Sequence, residues 1–210
     1  MTPLIIHGAG GHGLVVAETA VAAGFIVVGF VDDAIIDGFL GEHNILSMET
    51  VDAIDAEVIV AVGETTVRRR IHDSHVATGR RMALVIHPAA SVSPSAQMGC
   101  GIFVGPNAVV NAEATVGDGV IINSRAVVEH HCQIGAFSHL APGSTLGGNV
   151  TVGELTLVGI GASVLPDVKI GSNCVVGAGS VVRENVEDGQ TVVGSPARPI
   201  LPTPRSTPAK

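Results

Sequence analysis

Two hydrophobic rhythms divide the chain. Up to about Arg81, runs of branched apolar residues alternate with stretches at helical spacing. LIIH (4–7) reads as a buried strand, GAGGHG (8–13) as a tight turn, and LVVAETAVAAG (14–24) as a helix ending at Gly24. FIVVGFVDD (25–33) and AEVIVAVGE (56–64) read as the second and third strands. A helix opening near Thr65 or Thr66 carries Arg68, Arg69 and Arg70 and ends near Gly79, and RMALVI (81–86) reads as a fourth strand. Strands alternating with helices predict a parallel sheet with right-handed crossovers.

From Ile86 the period becomes six. Every sixth residue from Ile86 through Val128 and Leu146 to Val182 is apolar, and the next residue is often glycine, as at Gly99, Gly117, Gly135 and Gly153. Four places after each apolar residue stands a small or branched one, such as Ala108, Ala126, Cys132 or Ala162. Such an internal repeat predicts a β-solenoid. Each hexad is a short strand and a turn, and three hexads close one triangular coil. The inward aliphatic of each hexad contributes ~1.5–3 kcal/mol on burial. The fold class is therefore α/β plus β-solenoid: a small Rossmann-like unit at 1–82 and a parallel β-helix at 83–200. The Pro-rich tail at 201–210 is expected to be disordered.

Composition narrows the partners. The chain has 210 residues, no Trp or Tyr, and a net charge of −8. A core of Val, Ile, Leu and Ala suits strands. With no basic run beyond Arg68–Arg70, nucleic acid is not expected as a partner. No apolar run reaches the ~20 residues of a membrane span. The start shows no secretory signal, and Cys100, Cys132 and Cys174 lack a secreted spacing, so a cytoplasmic location with free thiols is expected.

Two stretches carry candidate chemistry. GAGGHG fits the glycine fingerprint that sets phosphates on a helix amino terminus, and Asp32 stands where a ribose-binding acid would. The unit is short for a dinucleotide, so the spacing alone leaves NAD and a sugar nucleotide both open. VVEHHCQIGAFSHL (127–140) holds His130, His131 and His139. No metal is expected there: Cys132 should point into the prism, and neighbours on an extended chain face opposite sides, so His130 and His131 should not converge. Adding one coil to His130 gives Gly148, whose missing side chain would leave room above the imidazole for a thioester; Ile160 and Ala178 share another column.

The motifs GAGGHGLV (8–15), VDD (31–33), EHHCQIG (129–135), FSHLAPG (137–143) and GSPARP (194–199) together resemble the hexapeptide-repeat sugar acetyltransferases, typified by bacillosamine-pathway N-acetyltransferases and sialic acid O-acetyltransferases. The resemblance implies a left-handed β-helix and acetyl transfer from acetyl-CoA to an amine of a nucleotide-linked 4-amino-4,6-dideoxy sugar, UDP being the expected nucleotide. An O-acetyltransferase is the alternative on the same scaffold. It implies that Gly8, Gly10 and Gly11 meet the phosphates, that His12 reaches the sugar, that Asp32 or Asp33 accepts from base or ribose, and that Gly63 allows close approach. It implies His130 as general base, with Asn123 and His139 lining the site, and His139, Gly148, Ile160, Ala178 and Arg198 along coenzyme A. It further implies a homotrimer with sites between prisms. One departure stands out: many relatives carry an acid directly after the catalytic histidine, where this chain has His131. The orienter is then left to Glu129, a backbone carbonyl or water.

Overall fold

The computed structural model describes residues 1–35 and 38–200, so the tail expected to be disordered lies outside the described residues. Its first part contains β1 (Pro3–His7), α1 (Gly11–Ala22), β2 (Ile26–Val31), a hairpin of β3 (Phe39–Leu40) and β4 (His43–Asn44), α2 (Met48–Ala53), β5 (Glu57–Val60) and α3 (Thr65–Ala77). The strands β2, β1 and β5 form a parallel three-stranded sheet in that order. The helix α1 begins inside the glycine run, capped at Gly10, and stops where Gly24 takes φ 90°. The hairpin and α2 are short elements that the hydrophobic pattern leaves unassigned.

The expected fourth strand is corrected. Met82 pairs with the α/β sheet only as an isolated bridge to Val58, though its side chain packs on the core that holds Ile5, Val31 and Val58. Val85–Ile86 instead pairs with Phe103–Val104, and the Val85 N–H is taken by the Ile102 carbonyl at 2.9 Å. The hexad register claims the end of the segment before the α/β sheet can.

From there the chain winds a left-handed parallel β-helix with three flat faces. Two-residue strands pair eighteen residues apart, as Val109 with Val127 and Val127 with Thr145. The inward aliphatics from Val104 to Val182 are buried and form one core with Ala108, Ala126, Cys132 and Cys174. Two kinds of position make the winding work. A Cβ on Gly135 would stand 2.4 Å from the Glu154 nitrogen, so the glycine after the aliphatic lets successive coils approach. The turns lie elsewhere, at left-handed residues spaced six apart: Asn107, Glu113, Gly119, Arg125, His131, Phe137 and onward. The last coil is short: Val175 pairs with Thr191, sixteen residues on, and the antiparallel strand Arg198–Ile200 closes that face.

That face runs from Val85–Ile86 to Arg198–Ile200 and carries His139. At its start Phe103 and Ile121 turn outward and join the core of Leu4, Ile6, Val16, Phe30 and Ile59. The α/β unit is thus docked on the early coils, and the later coils of the same face stay open.

Candidate functional site

One side chain pins the two parts together. Arg68 rises from α3 and is 1% exposed. Its guanidinium donates to the carbonyls of Val62 (2.8 Å) and Gly63 (3.0 Å) after β5. It also donates to Gly119 (2.8 Å), Phe137 (2.5 Å) and Ser138 (3.2 Å) on the prism. All five donors are used, which a planar fork in a bed of carbonyls can do and a lysine cannot. Burial lowers the Arg68 pKa to about 10, so it remains charged at neutral pH. Read only for charge, the run Arg68–Arg70 gives no sign of this. The signal was present: Arg68, Ile71, His72 and His75 fall on one helical stripe, and that stripe is the buried one.

The glycine loop sits at the carboxyl ends of β1, β2 and β5, where open α/β sheets take ligands. Its glycines divide by cause. Gly8 has φ 124° and a Cβ there would be 2.8 Å from the Ala61 oxygen; a Cβ on Gly13 would be 2.2 Å from the Gly8 oxygen. These two are demanded by the chain itself. Around Gly10 and Gly11 a Cβ would meet nothing within 4 Å. The amino terminus of α1, with no side-chain cap, therefore opens onto free space.

Both acids after β2 are already engaged. Asp32 accepts from the N–H of Ala9 at 2.8 Å and of Ala34 at 2.9 Å, tying the glycine loop to the next strand end. Burial works to raise its pKa, but the backbone donors, Ile35 among them, bring it below the ordinary value. Asp33 faces His7 Nε2 at 3.3 Å and accepts from Arg70 at 3.2 Å, while His7 Nδ1 lies 2.9 Å from His75 Nε2. A cavity of about 370 Å³ lined by Val31, Asp32, Asp33, Leu46, Ser47 and Met48 adjoins them.

His12 leans from the helix start onto the prism. Its ring meets Phe103 edge-on at 5.2 Å and stacks 6.4 Å from His139, and its Nε2 is buried without a partner. His139 projects from the open face. Asn123 places its amide nitrogen 3.2 Å from His139 Nε2, while its oxygen accepts from the Ser124 N–H at 2.8 Å. That fixes Nε2 of His139 as an acceptor. Burial, then the Arg68 guanidinium, lowers both histidines to about 4, so both are neutral near pH 7.

From His139 a groove of about 550 Å³ runs along the open face, with Gly63, Leu157, Ile160, Val175 and Ala178 among its walls. Ile160 is 62% exposed and hydrogen-bonds through its carbonyl to the Gly179 N–H, the contact between adjacent coils that puts it beside Ala178. Arg198 lies two strands beyond Val175 on the same sheet, its side chain exposed and 3.8 Å from Glu184.

His130 is elsewhere in the chain. It occupies the turn after Val127–Val128, a corner between the other two faces, so the structure gathers His12, Asn123, His139, Gly63, Ile160 and Ala178 but not His130. Gly148 does sit beside it: a Cβ there would be 2.6 Å from His130 Cε1. The room expected for a thioester is filled by the imidazole itself. The argument that His130 and His131 diverge is also corrected. His131 takes φ 60°, the chain is a turn and not a strand, and the two Nδ1 atoms stand 3.0 Å apart. Cys132 does point inward, its thiol donating to the Gly147 carbonyl at 3.2 Å.

Among the described residues no helix is long and apolar enough to cross a membrane. Residues 3–75 match the family model of the PglD N-terminal domain, and residues 149–184 match the bacterial transferase hexapeptide model of six repeats. The acetyltransferase domain of PglB from Neisseria gonorrhoeae, solved with acetyl coenzyme A, is 39% identical, with a TM-score of 0.90 over 95% of this chain and 99% of that one. A histidine mutant of perosamine N-acetyltransferase from Caulobacter crescentus, solved with CoA and GDP-perosamine, is 34% identical, with a TM-score of 0.92 over 96% and 98%. WeeI from Acinetobacter baumannii is 25% identical, with a TM-score of 0.85 over 95% and 100%. No curated protein matches the chain.

Proposed function

The chain belongs to the hexapeptide-repeat sugar acetyltransferases, acetyl-CoA-dependent enzymes, and from that premise we propose that it N-acetylates a nucleotide-linked 4-amino-4,6-dideoxy sugar with His130 as general base. The observation that carries this reading is a convergence. The apolar groove on the open face and the glycine loop of the α/β unit meet at His139 and His12, 6.4 Å apart. A pantetheine arm along Ile160 and Ala178 would bring its thioester to the place where a sugar held by the loop ends.

The base of the nucleotide would fill the cavity beside Asp33 and Ser47, with its phosphates over Gly10, Gly11 and the amino terminus of α1. Asp32 would act through the loop that it clamps. Arg198 would reach a phosphate of coenzyme A further along the sheet. Neutral His12 and His139 suit a site that receives an amino sugar, since imidazolium charges there would repel its ammonium form.

His130 stands on a different corner from the groove, so a complete site needs the corner of a second copy against the groove of the first. A three-faced prism assembled as a homotrimer supplies three such pairings. In that site the amine nitrogen attacks the thioester carbon, His130 Nε2 takes the amine proton, and the C–S bond breaks without an acyl-enzyme.

Thiol release from acetyl-CoA, assayed against UDP-, GDP- and dTDP-linked 4-amino sugars and free sialic acid, tests the proposal. One nucleotide-linked amine should be turned over, UDP being the expected carrier and GDP its rival, since the Caulobacter structure holds GDP-perosamine. The His130→Ala variant should lose the reaction. Turnover of sialic acid hydroxyls alone would overturn the amine assignment.

A further inference from the structure

The turn that presents His130 carries a second imidazole with nothing yet to do. His131 fills the left-handed position of that turn, where other coils place Asn107, Glu113 or Gly119. This conformation swings its ring beside its neighbour, edge to face, with centroids 5.2 Å apart. Nδ1 faces Nδ1 at 3.0 Å. Two nitrogens at that distance share one proton, one ring donating and the other accepting. Each ring keeps its Nε2 free for other work, and His130 Nε2 lies over Gly148, where a Cβ would be 2.7 Å away. Both residues are exposed.

We propose that His131 is a positioning residue and proton relay: by accepting from Nδ1–H of His130 it keeps the lone pair of His130 on Nε2, and it hands the collected proton on to water. The inference rests on His130 being the base. Which nitrogen of a histidine is protonated is set by the hydrogen bond made by the other. Where an acid would hold Nδ1–H with a negative charge, His131 holds it with a neutral lone pair.

The protons balance. His130 Nε2 takes the amine proton as the C–N bond forms. The Nδ1 proton of His130 crosses to His131 Nδ1, and the Nε2 proton of His131 leaves to water. The relay resets in reverse: water returns a proton to His131 Nε2, the bridging proton moves back to His130 Nδ1, and His130, now an imidazolium, gives its Nε2 proton to the departing thiolate. Only an imidazole, with two nitrogens, can pass a proton through in this way.

Charged groups around the pair are acidic. Glu129, on the same turn, accepts from the His130 N–H at 3.3 Å; Glu113 holds the turn position of His131 one coil earlier, and Asp167 holds it two coils later.

Two variants preserve the turn, because Gly119 and Glu113 show that glycine and glutamate adopt it. Imidazole nitrogen NMR on the full-length protein should show Nδ1–H on His130, lost in His131→Gly. The same variant should lose about tenfold in kcat, the worth of one such hydrogen bond, with both KM values unchanged. His131→Glu, which can hold Nδ1–H but cannot pass a proton through, should restore the His130 tautomer and recover kcat only in part; full recovery would overturn the relay. An unaltered His130 tautomer and full kcat in His131→Gly, with His130→Ala inactive, would overturn the relay alone. A fully active His130→Ala would remove the base assignment beneath it.

Discussion

Gly148→Ala separates the chemistry of His130 from the fold around it. A Cβ at this position would stand 2.6 Å from Cε1, 2.7 Å from Nε2 and 3.3 Å from Nδ1 of the His130 ring. Carbon contacts settle at about 3.5–4.0 Å, so the ring must retreat by about 1 Å. The three atoms nearest to it belong to a rotatable side chain, and Gly148 is not among the left-handed residues. Folding should therefore be spared, and the smaller unfolded-state entropy of alanine could add about 0.4–1 kcal/mol of stability. A reacting group displaced by about 1 Å costs ~10²-fold in rate. The expected variant melts at or above the wild-type temperature and loses ~10²-fold in kcat, with KM for both substrates little changed. Gly135→Ala is the control, since its Cβ would strike the Glu154 backbone at 2.4 Å and should lower the melting temperature. The measurements are thermal melts by circular dichroism and thiol release under saturating substrates. Full kcat with a raised KM for acetyl-CoA would refute the displacement and show that the column lines the cofactor instead.

Three further outcomes follow from the same geometry. Arg68→Met strands five carbonyls in the seam and should cost about 3–5 kcal/mol in urea unfolding; a wild-type midpoint would show that the apolar seam alone holds the two parts. His12, His75 and His139 have folded pKa values lowered from 6.5 to about 4, by burial first. The unfolded chain then binds more protons between those values. Stability should be complete above pH 6.5 and fall towards pH 4 by up to ~1.4 kcal/mol per unit for each group; a flat unfolding free energy from pH 7 to 5 would sink this. Gly10→Val adds a side chain where nothing in the protein stands within 4 Å. It should leave the melt unchanged and raise KM for the sugar nucleotide at least tenfold, and an unchanged KM would move the phosphates off the loop.

What could be read in advance follows from how each residue is constrained. Val104, Val128 and Val176 occupy the same place in every coil, so one rule applied many times becomes visible as a period. The left-handed turns repeat just as strictly, and many are filled by Gly, Asn or Asp, as at Gly101, Asn107, Gly119, Asn149 and Asp167. At Arg125, His131, Phe137 and Leu155 the stacked coils impose the conformation against the residue's preference, so nothing in the residue type betrays it there. This is why the meeting of His130 with His131 was hidden: the extended-chain rule was applied to a turn. Arg68 was hidden for another reason. Its partners at Gly119, Phe137 and Ser138 lie across a seam that no local pattern encodes, and Asp32 is likewise spoken for by Ala9 only once the loop is folded. The same distinction reaches the site. The groove residues Ile160 and Ala178 could be matched because a single period aligns them. In the proposed assembly the placing of His130 against that groove would depend on how two copies meet, a contact outside the register of either chain. Loss of activity in His130→Ala therefore cannot tell whose groove it served. Mixing that variant with an Ile160→Asp variant can, because mixed assemblies recover activity only if an intact corner and an intact groove come from different chains.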